Sequence, residues 1–144
     1  MLTLFTTPKA FSGHNRIIQR NAIKSWTLLR PKCDIILVGD DPGTKEAAAE
    51  FEVRHIPDVL CNQYGTPRVD SIYQAAAESA KYDVLCHVNA DIILMNDFMS
   101  AVEKVTTQHE WFLLMGQRWN LDIDQPLEFS DDWEDKLRSL VEKK

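Results

Sequence analysis

Apolar runs alternate with helically spaced apolar residues along most of the chain. Two runs predict buried strands: Leu2–Thr7 is rich in β-forming residues, and Asp34–Gly39 is continuously apolar from Ile35 to Val38, as is typical of parallel strands that helices cover on both faces. Between these runs, apolar residues from Ile17 to Leu29 recur at helical spacing, and Pro31 ends that helix. The first third of the chain therefore predicts a strand, a helix and a second strand.

The same alternation continues towards the C-terminus. The pattern predicts a short helix over Lys45–Phe51 and a third strand over Glu52–Ile56. A helix restarts at Thr66-Pro67, and a fourth strand follows Tyr82. Three further elements are predicted: a helix aligned on Phe98, Val102 and Val105, a strand over Trp111–Gly116, and a last helix with Trp133, Leu137 and Leu140 on its apolar face.

This order of elements predicts an α/β fold, a single Rossmann-like three-layer α/β/α domain over residues 1–144 with a mostly parallel sheet. Residues 2–123 would form its core and residues 124–144 a C-terminal helix. In such sheets ligands bind outside the carboxyl ends of the strands, where the winding reverses. If the first strand lies next to the fourth, the reversal brings Thr6-Thr7-Pro8 beside Asn89-Ala90-Asp91. Asp40 and Asp41 would lie on the same rim.

Charge and cysteine usage narrow the classes of partner. The formal net charge of −6 disfavours a nucleic acid or an anionic membrane surface, since both select a basic face. No apolar run approaches the roughly 18 residues of a membrane span. The three cysteines form no closely spaced pair, which argues against a disulfide framework or a zinc site. We therefore expect a protein of a reducing compartment, the cytoplasm.

Asp91 is the residue whose surroundings most need an explanation. It stands between a strand and the apolar run Ile92-Ile93-Leu94, and a buried unpaired carboxylate is costly. A turn cap is one interpretation; a bound metal is the other. Mn²⁺ and Mg²⁺ prefer oxygen ligands, and Asn89 and Asp91 would project to one side of an extended chain. Glycine-rich phosphate loops are absent from the sequence, so a metal would have to hold a diphosphate.

Three segments together resemble the GT-A-fold nucleotide-sugar glycosyltransferases: Thr6-Thr7-Pro8, Gly39-Asp40-Asp41, and Val88 to Leu94 with Asn89-Ala90-Asp91 in the position of the DXD motif. The resemblance covers roughly residues 2–123. It implies a UDP- or GDP-sugar donor and a carbohydrate or other hydroxyl acceptor. It also implies a metal at Asp91 and Asn89, with Asp40 at the base. Asn89 replaces an acidic residue, and the C-terminal acceptor half of such enzymes would be reduced or missing.

Other candidate residues have weaker signals. The donor could be contacted by Arg16, Arg68 and Asp70. The alternative for the two arginines is that they are simply solvated, and the alternative for Asp70 is that it stabilises the helix dipole from the first turn. Arg118 and Trp119 could form an acceptor shelf. Asp122 and Asp124 are the carboxylates near this exit that could act as a general base. His87, inside a strand, is expected to be packed.

Two other functions stay open. A domain that binds a nucleotide or nucleotide-sugar without transfer, including a truncated glycosyltransferase, would use the same donor residues. A sugar-phosphate nucleotidyltransferase would need a glycine-rich basic loop after the first strand, where this chain offers only Lys9 and Gly13. If the Trp111–Gly116 strand lies uncovered at an edge, its apolar residues predict self-association into a homo-oligomer.

Overall fold

One sheet of four parallel strands forms the centre of the molecule, a computed structural model that describes residues 1–143. In chain order the strands are β1 (Leu2–Thr6), β2 (Asp34–Val38), β3 (Arg54–Ile56) and β4 (Val84–His87). Across the sheet they lie in the order β3-β2-β1-β4, and every neighbouring pair is parallel. The predicted α/β fold with a parallel sheet is therefore confirmed and is consistent with a Rossmann-like arrangement. The first and fourth strands are neighbours, which is the condition under which Thr6-Thr7-Pro8 was placed beside Asn89-Ala90-Asp91.

The burial of each strand follows from its place in the sheet. All five residues of β1 and all five of β2 are buried, because both strands have a neighbour on each side and helices on each face. β3 is half-buried, and β4 alternates between half-buried and exposed residues. Burial therefore follows the position of a strand in the sheet more than its composition, since β1 buries Thr3 and Thr6, whereas β4 is apolar at three of its four positions and half exposed.

Within residues 1–143, five helices cover the two faces of the sheet: α1 (Gly13–Thr27), α2 (Thr44–Glu50), α3 (Val69–Ser79), α4 (Asn96–Gln108) and α5 (Trp133–Glu142). On one face, Leu2 and Leu4 of β1 pack with Trp26 of α1 and Met99 of α4. On the other face, Phe5 packs with residues of α3. In the described range, no helix combines the length and the apolar character needed to cross a membrane.

Contacts between loops fix the carboxyl end of the sheet. The Phe11 backbone N–H donates to the Pro42 carbonyl oxygen at 2.8 Å, which ties the β1–α1 loop to the β2–α2 loop. Gly43 follows with φ +90°, and a Cβ there would lie 2.7 Å from the Cβ of Phe11. Only glycine meets both requirements without a shift of the backbone. The loop after β1 is therefore held in place from one side by the loop after β2.

The predicted strand over Trp111–Gly116 is wrong. This segment forms no strand and no ladder in the described chain, and Trp111, Leu113 and Met115 are 87%, 87% and 82% exposed. A continuous apolar run suits a strand covered on both faces. The helices in the described range already pack against the four-stranded sheet and leave nothing to cover a fifth strand. The segment has the composition of a strand but no neighbouring strand to pair with in the described chain.

Candidate functional site

A hollow of about 240 Å³ opens at the carboxyl ends of β1 and β4, where the winding of the sheet reverses. Five of the residues around it were predicted for the site: Thr6, Thr7, Asn89, Ala90 and Asp91. β1 ends at Thr6, and β4 continues its pairing one step beyond His87, with the Val88 N–H donating to the Phe5 carbonyl oxygen at 3.2 Å. Pairing between neighbouring strands therefore brings the two predicted segments together.

Two threonine hydroxyls at this hollow have no hydrogen-bond partner among the described residues. Thr6 is only 1% exposed, and the Oγ1 atoms of Thr6 and Thr7 are both buried and unpaired. A buried hydroxyl without a partner is uncommon, because its desolvation costs about 1–3 kcal/mol. Both residues line the hollow, so a polar ligand there could satisfy them. Thr44 Oγ1, which does not line the hollow, is also buried without a partner in the described chain, so the two hydroxyls indicate a polar ligand through their position beside Asn89 and Asp91.

Asn89, Ala90 and Asp91 form a turn. The expected extended conformation is wrong, because the Ile92 N–H donates to the Asn89 carbonyl oxygen at 3.1 Å. Pairing of β4 with β1 stops at Val88, and the chain bends there. Asn89 and Asp91 are exposed and line the hollow from this turn, whereas Ala90 is 8% exposed. The side chains of Asn89 and Asp91 therefore line the same hollow because of the turn, and not because alternate residues of a strand point to one side.

The chain after Asp91 is anchored to helix α1. The indole N–H of Trp26 donates to the Ile92 carbonyl oxygen at 2.8 Å, and the Leu94 N–H donates to Ser25 Oγ at 3.1 Å. Trp26 and Ser25 are both buried. The apolar run Ile92-Ile93-Leu94 is half-buried and forms no strand. Buried side chains of α1 therefore hold the turn that carries Asp91.

The remaining predicted residues near β1 and β2 lie beside the hollow and do not line it. Pro8 is buried. Asp40 and Asp41 are exposed at the end of β2, directly after Gly39, where an added Cβ would lie 3.4 Å from the methyl group of Thr7. Asp40 therefore keeps a position from which it could reach the far end of an extended ligand.

The predicted arginines are directed elsewhere. Arg20 forms an ion pair with Glu50, and the pKa of Glu50 is lowered mainly by that hydrogen bond and to a smaller extent by the charge of Arg16. Arg16 is exposed on α1. Arg68 binds Asp70 with a 2.5 Å contact between Nη2 and Oδ2, and this hydrogen bond lowers the pKa of Asp70. Both arginines lie outside the residues that line the hollow.

The candidates for acceptor chemistry lie outside the hollow as well. Asp122 and Asp124 are exposed, and neither lines it. Trp119 is 78% exposed, so it neither covers the core edge nor contacts the donor residues. Of the predicted donor residues, the structure thus brings five to the hollow, namely Thr6, Thr7, Asn89, Ala90 and Asp91, and it leaves the other donor candidates and the acceptor candidates outside it.

Sequence reasoning missed five residues that line the hollow: Lys9, Asn15, Ile18, Gln19 and His87. Gln19 had a readable signal, since it is a polar residue on the buried stripe of α1 that includes Ile23 and Trp26. Lys9 and Asn15 belong to the loop and first turn after β1, which the parallel topology directs to this edge. The position of His87 could have been predicted from the alternation of side chains along β4, which puts His87 on the opposite face from Cys86.

A larger hollow, of about 720 Å³, lies at the opposite edge of the sheet. Its polar core is already satisfied: Asp34 Oδ2 accepts from Thr3 Oγ1 at 3.0 Å, from Arg54 Nη1 at 2.8 Å and from the Lys81 N–H at 3.3 Å. It also lies at the amino ends of the strands, away from the edge where α/β sheets bind ligands. The smaller hollow is therefore the better candidate site.

Comparisons of this chain with protein family models, curated proteins and solved structures gave no match.

The oxygen donors at the turn suit a hard divalent cation. Asp91 supplies a carboxylate and Asn89 a carboxamide oxygen, the ligand types that Mg²⁺ and Mn²⁺ select. Within residues 1–143, no group of three or more His, Cys, Asp or Glu side chains is arranged as a metal site. Mg²⁺ in enzymes is commonly bound through one or two carboxylates, with substrate phosphates and water as the other ligands. The residues present fit that kind of site.

His87 makes the stability of this edge depend on pH. Its ring lies 5.3 Å from that of Phe5 and 5.4 Å from that of Tyr73, and burial lowers the pKa of His87. The unfolded chain therefore binds this proton more readily than the folded chain. We expect the folded state to lose stability as the pH falls below about 6.5, the ordinary histidine pKa.

Urea unfolding between pH 7.5 and 5.5 checks this prediction. The variant His87→Gln should lose less stability over this range than the original chain, and His14→Gln, at an exposed position of α1, should behave like the original. An identical pH dependence in all three proteins would contradict it.

Proposed function

We propose that the hollow between β1 and β4 binds the nucleoside diphosphate part of a nucleotide-sugar, and that the chain acts as a metal-dependent glycosyltransferase of the GT-A type. One observation carries the proposal: two unpaired buried hydroxyls, Thr6 and Thr7, line the same hollow as Asp91 and Asn89. Hydroxyl partners suit a ribose, and a carboxylate suits a cation that neutralises phosphate. The position at the reversal of the sheet supports the same ligand class.

Each residue has a defined part in this proposal. Asp91 and Asn89 hold Mn²⁺ or Mg²⁺, which when bound supplies Lewis-acid stabilisation of the departing diphosphate. Thr6 and Thr7 orient the ribose through their hydroxyls. Asp40, on the rim beyond Thr7, is the acceptor available to a base N–H group. The hydrogen bonds from Trp26 and to Ser25 keep the Asp91 turn in one position, so that less ordering is needed when the donor binds.

The second candidate is a domain that binds the same donor without transferring the sugar. It is favoured by the position of Asp122 and Asp124, which lie apart from the hollow. Isothermal titration calorimetry with UDP and GDP, each with and without Mn²⁺, tests binding for both candidates. Release of free sugar from a UDP- or GDP-sugar, or its transfer to a hydroxyl acceptor, would select the enzyme. Tight, Mn²⁺-dependent binding without turnover would select the binding domain.

We also propose that the exposed apolar segment from Trp111 to Trp119 contacts a second copy of this chain. With typical areas for large side chains, Trp111, Leu113, Met115 and Trp119 together expose roughly 600–750 Å², close to the ~800 Å² that each partner contributes to a standard interface. β4 is an edge strand whose second side is unpaired in the described chain, and Leu85 on it is 40% exposed. A β-forming segment of one copy can pair with such an edge of another, reciprocally.

Sedimentation velocity over a range of concentrations measures this association. We expect a dimer at micromolar to tens of micromolar concentrations, and a monomer for the double variant Trp111→Ser/Met115→Ser. The matched variant Met1→Ser/Leu60→Ser changes two exposed apolar side chains elsewhere and should leave the dimer intact. A monomer at all concentrations for the original chain would refute the proposed interface.

A further inference from the structure

Lys9 occupies an unusually well-fixed position at the edge of the hollow. The Lys9 backbone N–H donates to Gln19 Oε1 at 2.7 Å, and Gln19 Nε2 donates back to the Lys9 carbonyl oxygen at 2.9 Å. Gln19 is only 3% exposed. A single buried carboxamide therefore satisfies both backbone groups of Lys9, which fixes its peptide units on both sides.

The neighbouring residues restrain the same loop. Pro8, which precedes Lys9, is buried and has a fixed φ. Two residues after Lys9, Phe11 is hydrogen-bonded to Pro42. The backbone of Lys9 is thus restrained by Gln19, by Pro8 and by the hydrogen bond of Phe11. The Lys9 side chain is exposed and lines the hollow. A rigid backbone below a free ammonium group is an arrangement suited to binding an anion, because little ordering remains to be done on binding.

The charges around the hollow support the same conclusion. Among the described residues that line the hollow, Lys9 is the one lysine and no arginine is present, and Asp91 is the one residue with a carboxylate. Asn89 stands where a second carboxylate would strengthen a metal site. A divalent cation is attracted less strongly by one carboxylate than by two, so the protein binds it less tightly. Neutralising a diphosphate at this site therefore calls for a second positive charge. Lys9 is placed to supply it from the β1 side, opposite the turn of Asp91.

We propose that Lys9 binds the diphosphate directly, and that Gln19 is the positioning residue that holds it there. The hollow then has a metal-independent anion subsite on its β1 side and a metal-dependent subsite at Asp91. This inference rests on the proposed function for the identity of the anion as a diphosphate. Its test uses inorganic pyrophosphate without metal, so that it can fail or succeed independently of the nucleotide proposal.

The test is a ³¹P NMR titration of the full chain with pyrophosphate in EDTA at low ionic strength. We expect Lys9→Met to weaken pyrophosphate binding on the order of tenfold, as for the loss of one charge-assisted hydrogen bond. Lys9→Arg should stay within about threefold of the original, since it keeps the charge. Lys24→Met, which removes the same charge from the last turn of α1, should have no effect. Pyrophosphate binding by Lys9→Met equal to the original, or no binding by the original chain, would overturn the proposal.

The role of Gln19 is tested by combining variants. Gln19→Met should weaken pyrophosphate binding in the original chain and have no further effect in the Lys9→Met background, because it acts through Lys9. Equal weakening in both backgrounds would overturn the positioning role. The Lys9 variants decide the anion subsite even if Gln19→Met fails to fold. Loss of Mn²⁺-dependent UDP binding in Asp91→Ala with pyrophosphate binding retained would separate the two subsites.

Discussion

Replacing Asp91 with alanine will remove the Mn²⁺-dependent part of UDP or GDP binding and leave the folded state intact. Asp91 is exposed at a turn and supplies the carboxylate of the proposed metal site. We expect the dissociation constant for the nucleotide in Mn²⁺ to rise at least about 100-fold, because loss of even an outer-shell partner of a metal ligand typically costs 10–100-fold. The free energy of unfolding should change by less than about 0.5 kcal/mol, as for other exposed positions.

Calorimetry in Mn²⁺ and in EDTA checks this prediction. The matched control is Asp83→Ala, an exposed aspartate just before β4, at the opposite end of the same strand. Asp91→Asn should behave like Asp91→Ala if charge decides metal affinity. Unchanged Mn²⁺-dependent binding in Asp91→Ala would remove Asp91 from the metal site.

Replacing Trp26 with alanine will destabilise the fold more than any exposed substitution. Trp26 is 1% exposed, packs between α1 and the sheet, and donates its indole N–H to Ile92. We expect the free energy of unfolding to fall by about 3–5 kcal/mol, from the lost apolar contacts and the cavity left behind. Trp111→Ala, the same substitution at an 87% exposed position, should change it by less than about 0.5 kcal/mol.

Trp26→Phe separates packing from the hydrogen bond. It keeps most of the ring contacts but leaves the Ile92 carbonyl oxygen without its indole donor, at a cost of about 1–3 kcal/mol. Because Ile92 directly follows Asp91, we also expect weaker Mn²⁺-dependent nucleotide binding in this variant. Urea unfolding and calorimetry measure the two effects. Equal losses of stability for Trp26→Ala and Trp111→Ala would contradict the description of the core.

The central part of the fold follows directly from the sequence. β2 could be recognised because its run from Ile35 to Val38 has no polar alternation, and β1 because its residues are β-formers that end at Pro8. The winding rules of such sheets allow β1 to lie beside β4, and the predicted site took that arrangement as its condition. Trp111–Gly116 could not be assigned in the same way. Its composition is that of a buried strand, but strand formation requires a neighbouring ladder, and composition does not show whether one is present.

The site was predictable in position and less so in detail. Thr6, Thr7 and Asp91 were found because the ends of parallel strands meet at one edge. The contact between Lys9 and Gln19 was missed, because two hydrogen bonds between a helix side chain and a loop backbone leave no periodic pattern, although a polar Gln19 on the buried stripe of α1 was itself a readable signal. Arg68 was predicted near the donor, but a local ion pair with Asp70 engages its guanidinium instead.

The most direct test of the central claim is to locate Mn²⁺ in the presence of UDP by paramagnetic broadening of the backbone amide NMR signals. We predict that substoichiometric Mn²⁺ with UDP broadens the amides of Thr6 to Lys9 and of Asn89 to Asp91 first, and that Asp91→Ala abolishes this broadening. Broadening centred on another part of the chain, or the same pattern in Asp91→Ala, would contradict a metal and nucleotide site between β1 and β4.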